Sequence, residues 1–176
     1  IYILDAPRWS ESWVKAMEVA EPVVFVASPA FWAQKYAECE KNGTVKWSTK
    51  TVGQEEISVR WITLDQILQE PFFLTEKNAN YRQALDQHLA SCHCCLSPVL
   101  EISDTAFIIQ MLEQSRGLSF LPLFAVQKQI REGTLAAVEV DDVEISMYRQ
   151  IFYHKNKFRT REMEQFITFA SEEENH

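Results

Sequence analysis

The sequence predicts an α/β fold in which strands and helices alternate and helices cover both faces of a largely parallel sheet. Two observations carry this. Between Glu70 and Pro122 a short apolar strand twice runs into a polar turn that opens a helix. Phe72–Leu74 feeds Thr75–Asn80 and a helix from Tyr81; Val99–Ile102 feeds Ser103–Thr105 and a helix through Gln114. The second observation is periodicity: Phe107, Ile108, Met111 and Leu112 fall on one helical face, and Leu118–Leu121 then reads as a buried strand.

The remaining elements follow in order. Ile1–Leu4 reads as a short buried strand. Ser10–Ala20 reads as a short helix, with Trp13, Val14 and Met17 at helical spacing. Pro22–Ala27 is an apolar strand closed by Ser28-Pro29, and Phe31–Glu40 a helix with a turn after it. The polar, β-tending stretch from Lys46 to Arg60 reads as a hairpin around Gly53. Thr63-Leu64-Asp65-Gln66 has the spacing of a capping box and opens a short helix. Gly117 is read as a left-handed C-terminal stop for the helix before it. Pro122 suits the first turn of the next helix, where its missing N–H costs nothing, and that helix ends near Gly133. Leu135–Val140 and Arg149–His154 read as strands, and Thr160 caps a last helix carrying Met163, Phe166, Ile167 and Ala170.

Composition bounds the function. The 176 residues are 47% hydrophobic and 24% charged, an ordinary globular balance for one domain or two small lobes. A net charge of −8 argues against nucleic-acid binding by this chain, since neutralising phosphates needs Lys and Arg in excess. No apolar run is long enough to span a bilayer, and IYILDAPRW lacks the pattern of a secretory leader, so a cytoplasmic location is expected. Of the four cysteines, Cys92, Cys94 and Cys95 crowd into Ser91-Cys92-His93-Cys94-Cys95, which suits a reducing compartment better than a disulfide framework. Soft thiolates plus imidazole suit zinc or copper(I), but consecutive ligands do not converge readily on one tetrahedral ion and no separated Cys/His pair completes a site, so no metal is expected there. The segment reads instead as a helix-to-strand turn with partly buried small residues.

No phosphate-binding glycine loop, zinc-protease helix or Gly-x-Ser-x-Gly elbow is present, and His88, His93, His154 and His176 have no evident nucleophile partner. An enzyme is not expected, nor a cofactor. The two strand-to-helix joints, by contrast, expose backbone N–H groups with a partial positive charge, and side by side they suit a small polar or anionic ligand. The residues placed to meet it are Thr75, Asn78, Asn80, Tyr81 and Arg82 at the first joint and Ser103 and Thr105 at the second. Phe120 and Pro122 follow a strand end near the same cleft. Against this stand plainer roles: N-capping for Asn80 and Ser103, a solvated side chain for Arg82, and core for Phe120 and Pro122.

EPFFLTEKNANYRQALDQ, ISDTAFIIQMLEQSRGLSFLP and YRQIFYHKNKF…REMEQFI, with EPVVFVASP before them, resemble the effector-binding domain of LysR-type bacterial transcriptional regulators. The likeness covers most of the chain and is strongest from Glu70 to Phe169. It implies a two-lobed fold like that of type 2 periplasmic binding proteins, with helices on both faces of mixed sheets and a small effector in the interlobe cleft. The first lobe would be residues 1–70 and 146–176, the second 71–145. It also implies a homodimer or tetramer that reaches promoter DNA through a winged helix-turn-helix. Three departures accompany the likeness. The winged helix-turn-helix is absent from this chain, the first lobe starts late and lacks its opening strand and long helix, and residues 39–57 exceed the usual connection. Peroxide-sensing members use a cysteine near position 78, where this chain has Asn78. The leading expectation is therefore an effector-sensing regulatory domain. The alternatives are a free-standing solute-binding protein feeding a transporter, and a thiol-based redox sensor.

Overall fold

The computed structural model describes residues 2–3, 12–41, 46–52, 55–114 and 116–172. In chain order the elements begin with β1 (Tyr2–Ile3), β2 (Trp13–Ala27), α1 (Pro29–Lys41), β3 (Lys46–Val52), β4 (Glu55–Ile62) and α2 (Leu64–Ile67). They continue with β5 (Phe73–Leu74), α3 (Asn80–Ser91), β6 (Leu100–Glu101), α4 (Thr105–Glu113) and β7 (Leu118–Pro122). α5 (Leu123–Glu132), β8 (Ala136–Val140), β9 (Ile145–His154) and α6 (Arg161–Glu172) close the chain. Two compact units divide it: Pro22–Ile145, and Ile1–Glu21 with Ser146–His176.

In the larger unit, every residue from Val23 to Ala27 is buried, because β2 is covered on both faces. Alternation splits it: Val24 and Val26 join a core with Phe73, Ile108, Leu112, Leu121 and Val126, while Phe25 meets Phe72 and Phe120 at ring distances of 6.1 and 4.7 Å. Each such side chain removed from water contributes roughly 1.5–3 kcal/mol. In α4 the buried face is Ile108 and Leu112, with Phe107 left exposed although it shares their spacing.

The sheet is mixed, not largely parallel. β2 is antiparallel to both β7 and β8 and β3 is antiparallel to β4, while β4–β8, β5–β6 and the Phe72–Leu118 bridge are parallel. Apolar runs identify strands, but direction depends on which strand lies alongside, and that is not a local property. The expected hairpin is present as β3 and β4, in register from Lys46↔Trp61 to Val52↔Glu55; Gly53 lies outside the described residues.

Local signals held well. The Ser28 hydroxyl accepts from the Phe31 N–H at 3.1 Å and starts α1. Thr63 and Gln66 form the reciprocal capping box of α2. Gly133 closes α5 in the left-handed region, φ 74°. Pro122 stands at the N-cap of α5, one position before its first turn. Gly117 is a correction: α4 ends at Glu113, and Gly133 is the positive-φ glycine among the described residues. Gly117 is needed for close approach, because a Cβ there would lie 2.3 Å from the Pro71 carbonyl oxygen. That oxygen accepts from the Leu118 N–H at 2.9 Å.

In the smaller unit, β1 pairs antiparallel with β9, Tyr2↔Arg149 and Ile3↔Tyr148; Ile1 and Leu4 lie outside the described residues. The helix expected over Ser10–Ala20 is wrong: Trp13–Ala20 is the first half of β2, which neighbours β9. Ser10 and Glu11 lie outside the described residues. Trp13, Val14 and Met17 have helical spacing, and partners far along the chain overrode it. The Lys155 N–H donates to the Ser12 carbonyl at 2.8 Å, Arg149 pairs with Glu21 at 3.2 Å, and the Gln150 amide donates to Glu18. Pro22, which has no N–H for a ladder, falls at the unit boundary. Thr160 caps α6 as expected, its hydroxyl accepting from the Met163 N–H at 3.3 Å.

Candidate functional site

β5 and β6 run parallel, with Phe73↔Leu100 and Leu74↔Glu101 in register. The Phe72–Leu118 bridge, also parallel, adds β7 on the other side. Three strands therefore end at one edge, and each leads into a helix: β5 into α3, β6 into α4, β7 into α5. In open α/β sheets the carboxyl edge of parallel strands is where helix N-termini converge and ligands bind. The two joints read from the sequence do lie side by side.

The three helix entrances differ in charge. α4 is capped by Asp104, whose carboxylate accepts from the Phe107 N–H at 3.1 Å. Ser103 is exposed and is not the cap, because Asp104 stands one residue nearer the helix and reaches the third N–H. The N-cap of α3 is Ala79, which makes no side-chain cap bond, so neither Asn78 nor Asn80 fills that role; Asn80 is already the first helical residue. Pro122, at the N-cap of α5, likewise makes no side-chain cap bond. Positive helix-end potential is thus offset by a carboxylate at α4 and left without a side-chain cap at α3 and α5.

Arg82 ties the two joints together. Its side chain is 2% exposed. Nε donates to both Asp86 oxygens at 3.0 and 3.1 Å, and Nη1 donates to the Thr75 carbonyl at 2.9 Å and to Glu101 Oε2 at 3.3 Å. One guanidinium therefore holds the turn after β5, the body of α3 and the end of β6. The solvated side chain weighed for Arg82 is ruled out, and its contacts are those of a positioning residue.

Thr75 is buried, 4% exposed, and its Oγ1 has no hydrogen-bond partner. Leaving a buried hydroxyl unpaired costs roughly 1–3 kcal/mol, so its place beside the edge is chemically informative. Tyr81 is half-buried against the core. Asn78, Asn80 and Ser103 are exposed near the edge and Thr105 is half-buried. Phe120 packs on Phe25 inside the core, and Pro122 is buried at the end of β7.

Sequence reasoning missed Asp86, Glu101, Asp104 and Ser119. Asp86 was legible as the i+4 partner of Arg82 on a helix. Glu101 was not, being 19 residues from Arg82. Ser119 is fully buried in β7 with an unpaired Oγ, and nothing in LSFLP distinguishes it from a strand filler. His154 is structural: its ring meets Trp13 edge-on at 5.6 Å and its Nδ1 accepts from the Asn156 N–H. No helix among the described residues is long and apolar enough to cross a membrane.

A family model described as LysR substrate binding domain matches residues 58–175. The chain is 25% identical over 96 residues to the HTH-type transcriptional activator CmpR of Synechocystis sp., covering 54% of this chain and 32% of that protein. It thus spans about a third of that relative's length. Among solved structures, the regulatory domain of Synechocystis CcmR in complex with 2-PG aligns with TM-score 0.60 and 14% identity, over 96% of this chain and 69% of that one. The effector binding domain of QuiR in complex with shikimate aligns with TM-score 0.61 and 10% identity, over 95% and 69%. The CrgA regulatory domain of Neisseria meningitidis aligns with TM-score 0.58 and 14% identity, over 98% and 73%. At such identities the likeness is one of fold, and it bears out the mixed α/β architecture of the type 2 periplasmic-binding-protein kind.

Proposed function

The chain belongs to the LysR substrate-binding domain family, and on that premise we propose that it is the effector-sensing part of a LysR-type transcriptional regulator. The effector is a small polar or anionic molecule seated at the carboxyl edge of β5, β6 and β7. Thr75 meets it with its hydroxyl, and the N–H groups opening α3 and α5 supply positive potential. Asn78, Asn80, Tyr81, Ser103 and Thr105 flank it, Phe120 and Pro122 back it, and Arg82 keeps the joints in register. One observation carries this reading: a buried, unpaired Thr75 hydroxyl stands where two strand-to-helix joints are clamped together. The complexes of CcmR with 2-PG and QuiR with shikimate support a small organic ligand.

In this reading residues 1–70 and 146–176 form the first lobe and 71–145 the second. Binding changes the geometry of a cytoplasmic homodimer or tetramer, to an extent limited by the effector's differential affinity for the two states. Promoter DNA is contacted by a winged helix-turn-helix of the intact regulator, in keeping with the net charge of −8 on residues 1–176. The family match and the activator relative favour a regulator over a free-standing transport receptor. The matched family is a regulator's ligand-binding domain and not an enzyme.

The test is a thermal-shift screen with reductant against small carboxylates, amino acids, aromatic acids and sugars, on the parent and on Thr75→Val. A ligand at a hundred times its Kd stabilises by about 2.7 kcal/mol, a clear rise in Tm. Thr75→Val removes an unpaired hydroxyl, so it should fold at least as stably as the parent while losing much of the ligand response. No shift with any compound from folded protein, or a response undiminished in Thr75→Val, would sink the assignment.

A further inference from the structure

α3 closes in a Schellman arrangement, the His93 N–H donating to the Ala90 carbonyl at 3.1 Å and the Cys94 N–H to the Leu89 carbonyl at 2.8 Å. His93 takes the left-handed position, φ 57°, usually filled by glycine. Cys92 and Cys95 are left exposed, so the Cys-rich segment is not the partly buried turn its sequence suggests. It is a helix stop, and the surface in want of a partner lies in the smaller unit.

Among the described residues of that unit, the buried apolar side chains are Met17 and Met147. The larger unit, by contrast, encloses a core that runs from Val24 to Ala137. In α6, Met163, Ile167 and Ala170 follow one another at helical spacing and are half-buried. Phe166 and Phe169 lie beside that stripe, roughly 60° and 120° round the helix from Met163, and are 64% and 65% exposed. Three residues apart, they adjoin each other. Together they leave roughly 250 Å² of apolar side chain in water, a patch and not a scattered residue. The apolar arc of α6 is therefore wider than the face that is covered.

We propose that the Phe166–Phe169 flank of α6 is the seat of a second amphipathic helix, lying alongside α6 with an aliphatic stripe turned to the two rings. A neighbour in the same layer as α6 covers a lateral flank, and a helix does so with its own backbone groups already paired, as a lone strand does not. On the reading of this chain as part of a larger regulator, the helix comes from the same polypeptide, outside residues 1–176. The solved structures favour that source. The CcmR and QuiR domains match 96% and 95% of this chain but 69% of their own lengths, and CrgA 98% but 73%. Domains of this fold thus hold chain with no counterpart in residues 1–176, and the smaller unit is where apolar surface lacks cover. A second copy would bring the same two rings, about 500 Å² from both sides together, against the roughly 1,200 Å² of a stable interface. A helix of the same chain needs no such area, because its docking is intramolecular.

The test is site-specific photo-cross-linking in the regulator expressed from its own intact gene, with benzoylphenylalanine replacing Phe166 or Phe169. The control is the same replacement at exposed Thr168, about 140° round the helix from Met163 on the other side. Irradiation and peptide mass spectrometry should join positions 166 and 169 to one peptide from outside residues 1–176, within a single-chain mass, and leave position 168 unjoined. A second arm carries Phe166→Ser and Phe169→Ser together. That pair should lower the Tm of the intact regulator. In residues 1–176 alone it should leave Tm unchanged and dim the fluorescence of bound anilinonaphthalenesulfonate. Cross-links to a second copy or to another protein, equal cross-linking at all three positions, none at 166 and 169, or a Tm lowered equally in both contexts would overturn the seat. The effector response of the parent is measured separately, so this assignment and the effector assignment can fail independently.

Discussion

Replacing Arg82 by methionine keeps an unbranched apolar stem and removes the charged fork that joins the two strand-to-helix turns. The arginine is 2% exposed, and the atoms it holds differ in their access to water. Asp86 and Glu101 are 38% and 35% exposed, so both carboxylates rehydrate once the guanidinium is gone. Each of those pairs is then worth no more than roughly 0.5 kcal/mol. The Thr75 carbonyl is different: it belongs to a residue 4% exposed and loses a 2.9 Å donor. Leaving such an acceptor unpaired costs roughly 1–3 kcal/mol. Against these losses stands the relief of no longer burying a charge. The net expectation is a destabilisation of about 2 kcal/mol, enough to change the folding equilibrium roughly thirtyfold. Urea unfolding followed by far-UV circular dichroism and by tryptophan fluorescence measures it, and Arg82→Lys should fall between the two, since an ammonium has no planar fork. A midpoint unchanged or raised in Arg82→Met would refute the reasoning and mark the buried network as replaceable by an apolar side chain.

Three further outcomes are expected. Gly117→Ala should destabilise by about 3 kcal/mol, because its Cβ would meet the Pro71 oxygen at 2.3 Å and backbone yields less readily than a side-chain tip; a parent-like urea midpoint would contradict that contact. His93→Gly should stabilise by about 1 kcal/mol by relieving the left-handed backbone, and a lower midpoint would show that the histidine side chain matters more than its φ. Hydrogen bonds from Lys15 and then Gln150 hold the Glu18 carboxyl below the ordinary glutamate range. A carboxyl depressed on folding contributes stability above its unfolded pKa, and that contribution disappears as pH falls through the folded one. Tm measured down through the acid range should therefore fall less steeply in Glu18→Gln than in the parent; identical acid limbs would remove Glu18 from the account.

Much of the candidate site was legible as a place and little of it as a set of contacts. Strand, polar turn and helix at Phe72–Tyr81 and Val99–Thr105 are written in adjacent residues, so the joints could be found. Their pairing edge to edge is set by the Phe73↔Leu100 register, which no local pattern states. Asn80 and Ser103 have good capping side chains, yet the chain enters the helices one residue to either side of them, at Ala79 and Asp104. Phe107 matches Ile108 in hydrophobicity and stays exposed, because what covers a helix face comes from elsewhere in the fold.

Besides the ordered blocks that mark the family, what the sequence determined by itself lies within about one helical turn: the Thr63–Gln66 capping box, the Thr160 cap and the Gly133 stop. Those interactions are between near neighbours, so the residues that make them can be read together. The tertiary structure alone decided that Trp13–Ala20 is a strand, that β2 runs antiparallel to β7 and β8, that Gly117 serves contact with Pro71 and not a turn, and that buried Arg82 reaches Glu101. Each of these depends on a group brought close from a distant part of the chain. Burial then raises the energetic consequence of meeting or missing that group above any local preference.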